Sequence, residues 1–310
     1  MTTESLLLEE SSRLKAIGLM CAAISLFALL DSTGKYLVTV LGMPLFQVVW
    51  MRFVSHGVLN VVIFGPQTVA RALRANKPWL QILRSIFLFS STAFNFAALR
   101  YLQLDQSVTI FFLTPFLVSI LAGPLLGEWI GWRRLVAVMV GFSGVILVVR
   151  PGFGGIHWAA SYSFLAMISY VLYTITTRYL ARYDETIVTQ VYSPIAGMVG
   201  FAPLALSVWV WPESWTTMLL MVSTGVWGGI SHYLLIIAHR RAPAPVLAPF
   251  TYIGLIFQIT LGYLVFGDVP SAWTAAGGAV IVGSGLYILH RERVKRSDAA
   301  AASLSSDIRN

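Results

Sequence analysis

The sequence predicts an all-α fold, an integral membrane bundle of ten transmembrane helices built from two inverted five-helix repeats. Three observations carry this. Of 310 residues, 57% are hydrophobic and 11% charged, against about 25% charged in an average soluble domain. Apolar runs of about 20 residues recur between short polar breaks, each long enough to cross a hydrocarbon core of about 30 Å. The second half of the chain resembles the first at an offset of 140 residues.

The runs are continuous rather than alternating, which favours helices over a barrel, because a helix satisfies its own backbone in lipid. The first, 14–38, follows an acidic tail, 1–13, and turns over Val38 to Pro44 into the second, 44–64. A basic loop with Arg71, Arg74 and Lys77 leads to the third, 79–101, and a short turn to the fourth, 104–124. Arg133 and Arg134 open the fifth, 131–149, and the sixth, 157–178, ends on Arg178, with Arg182 in the next loop. The seventh spans 187–209, the eighth 215–238, the ninth 243–266 after Arg240 and Arg241, and the tenth 271–290. A basic tail, 291–310, closes the chain.

The formal net charge of +8 is distributed as topology rather than as a nucleic-acid footprint. With the N-terminus inside, the inner loops and tails hold all the basic residues just named together with Arg13 and Lys15, and the outer side holds only Arg100 and Arg150. The positive-inside rule then places both termini in the cytoplasm, in a multi-pass protein of the cell (inner) membrane. The opening MTTESLLLEESSRLK lacks the basic start and the cleavage site of a secretory signal. Cys21 is the only cysteine, so an internal disulfide or a cysteine metal site is excluded.

The segment from Ala98 to Glu128 resembles that from Ala238 to Asp268, aligning Arg100 with Arg240, Gly127 with Gly267 and Glu128 with Asp268. Near the starts of the halves, KYL at Lys35 to Leu37 corresponds to RYL at Arg178 to Leu180. An odd number of spans per half forces opposite orientations, so the repeats are 14–150 and 151–290. Inverted repeats underlie many secondary transporters, because two similar halves of opposite sense can exchange conformations. Transport is therefore the leading class, with the lipid bilayer and a small-molecule substrate as partners. No cofactor, metal site or nucleic acid is expected.

Lys35 near the end of the first span, Arg52 in the second, LLGE at Leu125 to Glu128 and VFGD at Val265 to Asp268 resemble the EamA group of the drug/metabolite transporter superfamily. The resemblance covers residues 14 to 290. One departure is Asp268, where the family pattern has glutamate. DSTGKYL at Asp31 to Leu37 and APFTYIGLIFQ at Ala248 to Gln258 are most similar to the branch of bacterial riboflavin and S-adenosylmethionine uptake carriers. The resemblance implies alternating-access uptake, with riboflavin preferred, S-adenosylmethionine second and export of amino acids or metabolites third. It also implies a cavity among spans one, three, four, six, eight and nine.

Asp31 is the carboxylate that lies well inside a span, and an intramembrane charge is a functional candidate by default. It is expected either to couple transport to protons or to form a structural ion pair with Lys35 and Arg52, which lie at similar depth. Arg52, His56 and Asn60 recur every four residues as a polar stripe facing protein. The candidate translocation path comprises Asp31, Arg52, Thr92, Asn95, Tyr173, Trp227, His232, Tyr252 and Gln258; apart from the two charges, these are uncharged donors, acceptors and aromatics suited to a planar heteroaromatic ligand. Arg84, near the inner end of span three, is expected to snorkel to the headgroups and has no site role. Gly141 and Gly144, and the glycines of span ten, serve close helix packing, with a homodimer contact as the alternative.

An intramembrane enzyme would need a nucleophile with its base, paired carboxylates or spaced metal ligands, and the five histidines are scattered instead. No P-loop occurs. A receptor would not require the duplication.

Overall fold

The computed structural model describes residues 3–102, 104–111, 113–129, 131–149 and 158–269, and beyond them 272–273, 276–280, 283–284 and 287. Arg150, His157, most of span ten and the tail 291–310 lie outside the described residues, which contain helices and no strand. In chain order they are α1 (Thr3–Thr39), α2 (Leu45–Phe64), α3 (Pro66–Ala72), α4 (Pro78–Leu99), α5 (Leu104–Phe111), α6 (Thr114–Leu126) and α7 (Trp132–Val149). Then follow α8 (Ala160–Leu180), α9 (Thr186–Tyr192), α10 (Ile195–Ser207), α11 (Trp215–Arg241), α12 (Ala244–Leu247), a 3-10 turn (Ala248–Tyr252) and α13 (Ile253–Phe266).

Among the described residues, six segments are long and apolar enough to cross a membrane: Ser12–Thr39, Leu45–Phe64, Pro78–Leu99, Thr186–Ser207, Trp215–Arg241 and Ala244–Phe266. The chain is an all-α membrane bundle, and the remaining expected spans differ for physical reasons. Span six is the unbroken helix α8, diluted by Ser161, Ser163, Ser169, Thr174, Thr176 and Thr177. Span four divides into α5 and α6. Span seven divides at Ser193 and Pro194, where proline withholds a backbone donor, and span nine passes through the 3-10 turn before α13. Irregular backbone at membrane depth is tolerated where protein or a cavity, rather than lipid, surrounds it.

The fourth and ninth spans end alike. Gly127 and Gly267 both take φ +73°, a left-handed conformation that glycine adopts without a Cβ penalty and that stops a helix. The Gly127 amide donates to Gly123 (3.0 Å) and that of Glu128 to Ala122 (3.0 Å); Gly267 donates to Tyr263 (3.1 Å) and Asp268 to Gly262 (3.1 Å). The caps thus project Glu128 and Asp268 in the same local frame.

Packing follows a paired pattern. Helix α1 packs on α11 as α8 packs on α4; α2 packs on α11 as α10 packs on α4; and α1 packs on α13 as α8 packs on α6. Glycine permits the tightest of these contacts. A Cβ at Gly225 in α11 would lie 2.3 Å from Ser55 Cβ and 2.6 Å from the Arg52 carbonyl oxygen of α2, so the two backbones touch.

One end of the bundle gathers the basic loops. There Asp184 accepts from the Asn76 amide (2.7 Å) and from Gln81 Nε2 (2.9 Å), and its carbonyl accepts from Arg240. At the opposite end Gln47 Nε2 donates to the Val210 carbonyl (2.7 Å), and the rings of Tyr101 and Trp158 lie 4.9 Å apart.

Candidate functional site

The alternation of buried faces brings α1, α2, α4, α5, α8, α11, α13 and the 3-10 turn to one cavity of about 120 Å³ between mid-bundle and the end opposite the basic loops. Helix α1 contributes Phe27 and Asp31, one helical turn apart on one face. Helix α4 contributes Ser91, Thr92, Asn95 and Phe96 by the same spacing, α5 gives Ser107 and Phe111, α8 gives Tyr170, and the ninth span gives Thr251 and Gln258. Arg52 of α2 and His232 of α11 complete the wall.

Asp31 and Arg52 face this space without joining each other. Asp31 Oδ1 accepts from Asn95 Nδ2 and Oδ2 from Gln258 Nε2, both at 3.0 Å. Asn95 in turn accepts from Ser107 Oγ (3.3 Å), which bonds Ser163 Oγ (2.9 Å). Arg52 donates to Thr92 Oγ1 and, through Nη2, to His232 Nε2 (3.1 Å), while its Nε has no partner. Lys35 stands over the Phe266 ring, 4.9 Å from its centroid. Asp31 and Arg52 thus make no direct hydrogen bond to each other, although their charges attract: α4 and α13 supply amide partners to Asp31, and α4 and α11 supply hydroxyl and imidazole partners to Arg52.

A second polar layer stands behind Arg52. His232 Nε2 faces a guanidinium, which can only donate, so it accepts and Nδ1 carries the proton to Tyr173 Oη (2.9 Å). Tyr173 Oη also receives Arg84 Nη2 (2.8 Å). Arg84 is fully buried rather than snorkelling: its Nε donates to Thr177 (2.7 Å) and its Nη1 to Ser193 Oγ (3.0 Å) and the Thr189 carbonyl (3.2 Å). The chain Arg84, Tyr173, His232, Arg52 therefore fixes the guanidinium that reaches the cavity. Gly228, 3.3 Å from Arg52 Nε by its added Cβ, leaves room for that side chain. His56 and Asn60 face protein, bonding Gln190 rather than the cavity.

Of the sequence candidates, Asp31, Arg52, Thr92, Asn95, His232 and Gln258 line the cavity, and Tyr173 supports it from behind. Trp227 is partly buried against the hydrophobic core. Tyr252 turns away, its hydroxyl donating to the Val138 carbonyl of α7 (3.3 Å) and its ring lying against Gly141. Phe27, Ser107 and Phe111 were not singled out among the sequence's many aromatics and hydroxyls, although Phe27 lies one turn before Asp31. Ser107 and Phe111 lie in α5, whose eight residues, Leu104–Phe111, are too few to set one polar face apart in an apolar run. Among the described residues no group of three or more His, Cys, Asp or Glu could hold a metal.

Residues 14–150 match the model of the EamA-like transporter family. The S-adenosylmethionine uptake transporter of Rickettsia prowazekii is 27% identical over 86% of this chain and 90% of its own length. The riboflavin transporters of Rhizobium johnstonii and Vibrio cholerae are each 25% identical, over 89% and 90% of this chain and 91% and 94% of theirs. A solved crystal structure superposes with a TM-score of 0.70 at 20% identity, covering 92% of this chain and 99% of that one, and so shares the fold. The match to the EamA-like transporter family thus covers residues 14–150, and the similarity to proteins named as uptake transporters extends over most of the chain.

Proposed function

We propose that the protein takes up S-adenosylmethionine, or a close analogue, across the cytoplasmic membrane by alternating exposure of the cavity between two inverted repeats, 14–150 and 151–290. The observation that carries the substrate is that Asp31 and Arg52 line one cavity, each hydrogen-bonded to neutral partners rather than directly to the other. A ligand bearing both a cation and a carboxylate answers both groups. At about 4 Å and an effective dielectric near 20, each opposite-charge contact is worth on the order of 4 kcal/mol before desolvation costs. S-adenosylmethionine supplies a sulfonium, an ammonium and a carboxylate, with an adenine ring for the walls formed by Phe27, Phe96, Phe111 and Tyr170.

Direction follows from the charges. With the basic end in the cytoplasm, the cavity lies in the outer half, and the inner end is tied by the polar contacts of Asp184 and Arg240. A cavity of about 120 Å³ is below the roughly 300–1,000 Å³ usual for ligand pockets, so the walls separate to admit substrate. The paired packing of α1 with α11 and of α8 with α4 supports two halves that exchange roles.

Riboflavin is the second reading, favoured by the neutral rim of Ser91, Asn95, Ser107, Thr251 and Gln258 around aromatic walls. It reverses the order suggested by sequence alone, because a neutral isoalloxazine can hydrogen-bond Asp31 and Arg52 but brings no charge to either. Cells expressing the protein are expected to take up labelled S-adenosylmethionine saturably, with excess unlabelled S-adenosylmethionine competing and adenosine not. Saturable riboflavin uptake that S-adenosylmethionine leaves untouched would overturn the first reading in favour of the second.

A further inference from the structure

Between the cavity and the basic loops, one carboxylate ties three spans together. Glu128, at the cap of α6, accepts Arg178 Nε on Oε1 (2.6 Å) and the backbone amide of Ala244, the first residue of α12, on Oε2 (2.9 Å). Arg178 also donates to the His239 carbonyl, and Arg182 holds the Leu126 carbonyl (2.8 Å) with its Nη2 3.7 Å from Glu128. This knot joins spans four and six to the start of span nine. A charged contact of this kind, half-sheltered and partly dehydrated, is stronger than an exposed surface pair.

Three parts of the knot, Glu128, Arg178 and Ala244, have counterparts at the other end of the bundle. The offset of 140 carries Glu128 onto Asp268 and Ala244 onto Leu104, the first residue of α5; the KYL and RYL correspondence carries Arg178 onto Lys35. Three structural facts agree independently. Gly127 and Gly267 make the same left-handed cap, which presents both carboxylates alike. Helix α1 packs on α13 as α8 packs on α6. Lys35 Nζ already rests over Phe266, two residues before Asp268, and Leu104 borders the cavity.

We propose that Lys35 and Asp268 form the gate that seals the outer end of the cavity, with the Leu104 amide as the second donor to Asp268, when the Glu128–Arg178 knot opens. This rests on reading the protein as an alternating-access transporter. The outer set substitutes a shorter carboxylate and a point-charge ammonium for the planar fork of Arg178. The outer lock is therefore the weaker one, and the resting protein stays closed at the basic end, ready to receive substrate from outside.

The test reads side-specific access without any substrate, so it is independent of what is carried. In a Cys21→Ser background, Ser91→Cys in the cavity is labelled in sealed, oriented vesicles with a membrane-impermeant thiol reagent from either face. The parent is expected to label from the face opposite the basic loops. Glu128→Gln is expected to raise labelling from the basic face at least threefold, and Asp268→Asn to raise the outer-to-basic ratio by a similar factor. The exchange Lys35→Asp with Asp268→Lys is expected to restore the parent ratio, and it carries the test should Asp268→Asn fail to fold. Shifts of both single variants in the same direction, an unmoved ratio in Asp268→Asn, or an exchange variant no nearer the parent than a single one would overturn the proposal. Absent flux of S-adenosylmethionine alongside these opposed shifts would overturn the substrate reading and leave the gate standing.

Discussion

Replacing Gly225 with alanine sets two effects of known size against each other. The added Cβ would lie 2.3 Å from Ser55 Cβ, 2.6 Å from the Arg52 carbonyl oxygen and 2.7 Å from the His56 amide nitrogen. Non-bonded carbons rest at about 3.5–4.0 Å, so α2 and α11 must part by about 1 Å. Two of the three obstructing atoms are backbone and cannot rotate away. Overpacking of this kind costs about 1–3 kcal/mol, while exchanging glycine for alanine inside a helix returns up to about 1 kcal/mol. The net expectation is a loss of about 1–2 kcal/mol, or a fall in Tm of roughly 2–4 °C at about 2 °C per kcal/mol for a chain of this size. Gly18→Ala is the control, because no atom lies within 4 Å of its added Cβ, and it is expected to hold or raise Tm. Function should fall further than stability. Parting α2 from α11 by about 1 Å stretches the 3.1 Å contact of Arg52 with His232 beyond hydrogen-bond range of about 3.5 Å. Thermal unfolding in detergent and flux in vesicles measure the two effects. A Gly225→Ala protein as stable as Gly18→Ala would refute the close approach of these helices and the cavity wall built on it.

Asp31→Asn keeps the volume of the side chain but presents an amide to Asn95 and Gln258, both of which donate to the carboxylate; uptake of S-adenosylmethionine is expected to fall at least tenfold with little change in Tm, and equal loss of both would mark Asp31 as structural. Arg84→Met removes a fully buried cation that has hydroxyl and carbonyl partners. Because an intramembrane charge is costly, Tm is expected to hold or rise while flux drops about tenfold through a loosened Tyr173, His232 and Arg52; a fall of Tm by more than about 4 °C with intact specific flux would contradict that role. Thr92→Val removes the hydroxyl that receives Arg52 at nearly constant volume, and is expected to raise KM several-fold more than it lowers the maximal rate.

The parts of the site legible in the sequence are those that break a strong pattern. Asp31 and Arg52 stand out because charge is rare in apolar runs, and Thr92, Asn95 and Gln258 because amides and hydroxyls at mid-span need partners. Aromatic residues carry no such contrast in this chain, so sequence could not distinguish Tyr170, which lines the cavity, from Tyr252, which faces α7. Arg84 lies six residues after Pro78, about 9 Å into α4 at 1.5 Å per residue, a depth from which its stem could have reached the headgroups. What decides its fate is the array of acceptors at α8 and α9, the hydroxyls of Thr177 and Ser193 and the carbonyl of Thr189, from some hundred residues away. The broken fourth and ninth spans were equally hidden, since a continuous apolar run reads the same whether or not its helix is interrupted.

Flux into sealed vesicles containing only this protein tests the central claim most directly. Labelled S-adenosylmethionine is expected to enter saturably and to exchange with unlabelled S-adenosylmethionine trapped inside, with both processes lost in Asp31→Asn. Correctly folded protein that binds the ligand in detergent yet moves neither S-adenosylmethionine nor riboflavin across the bilayer would contradict the account.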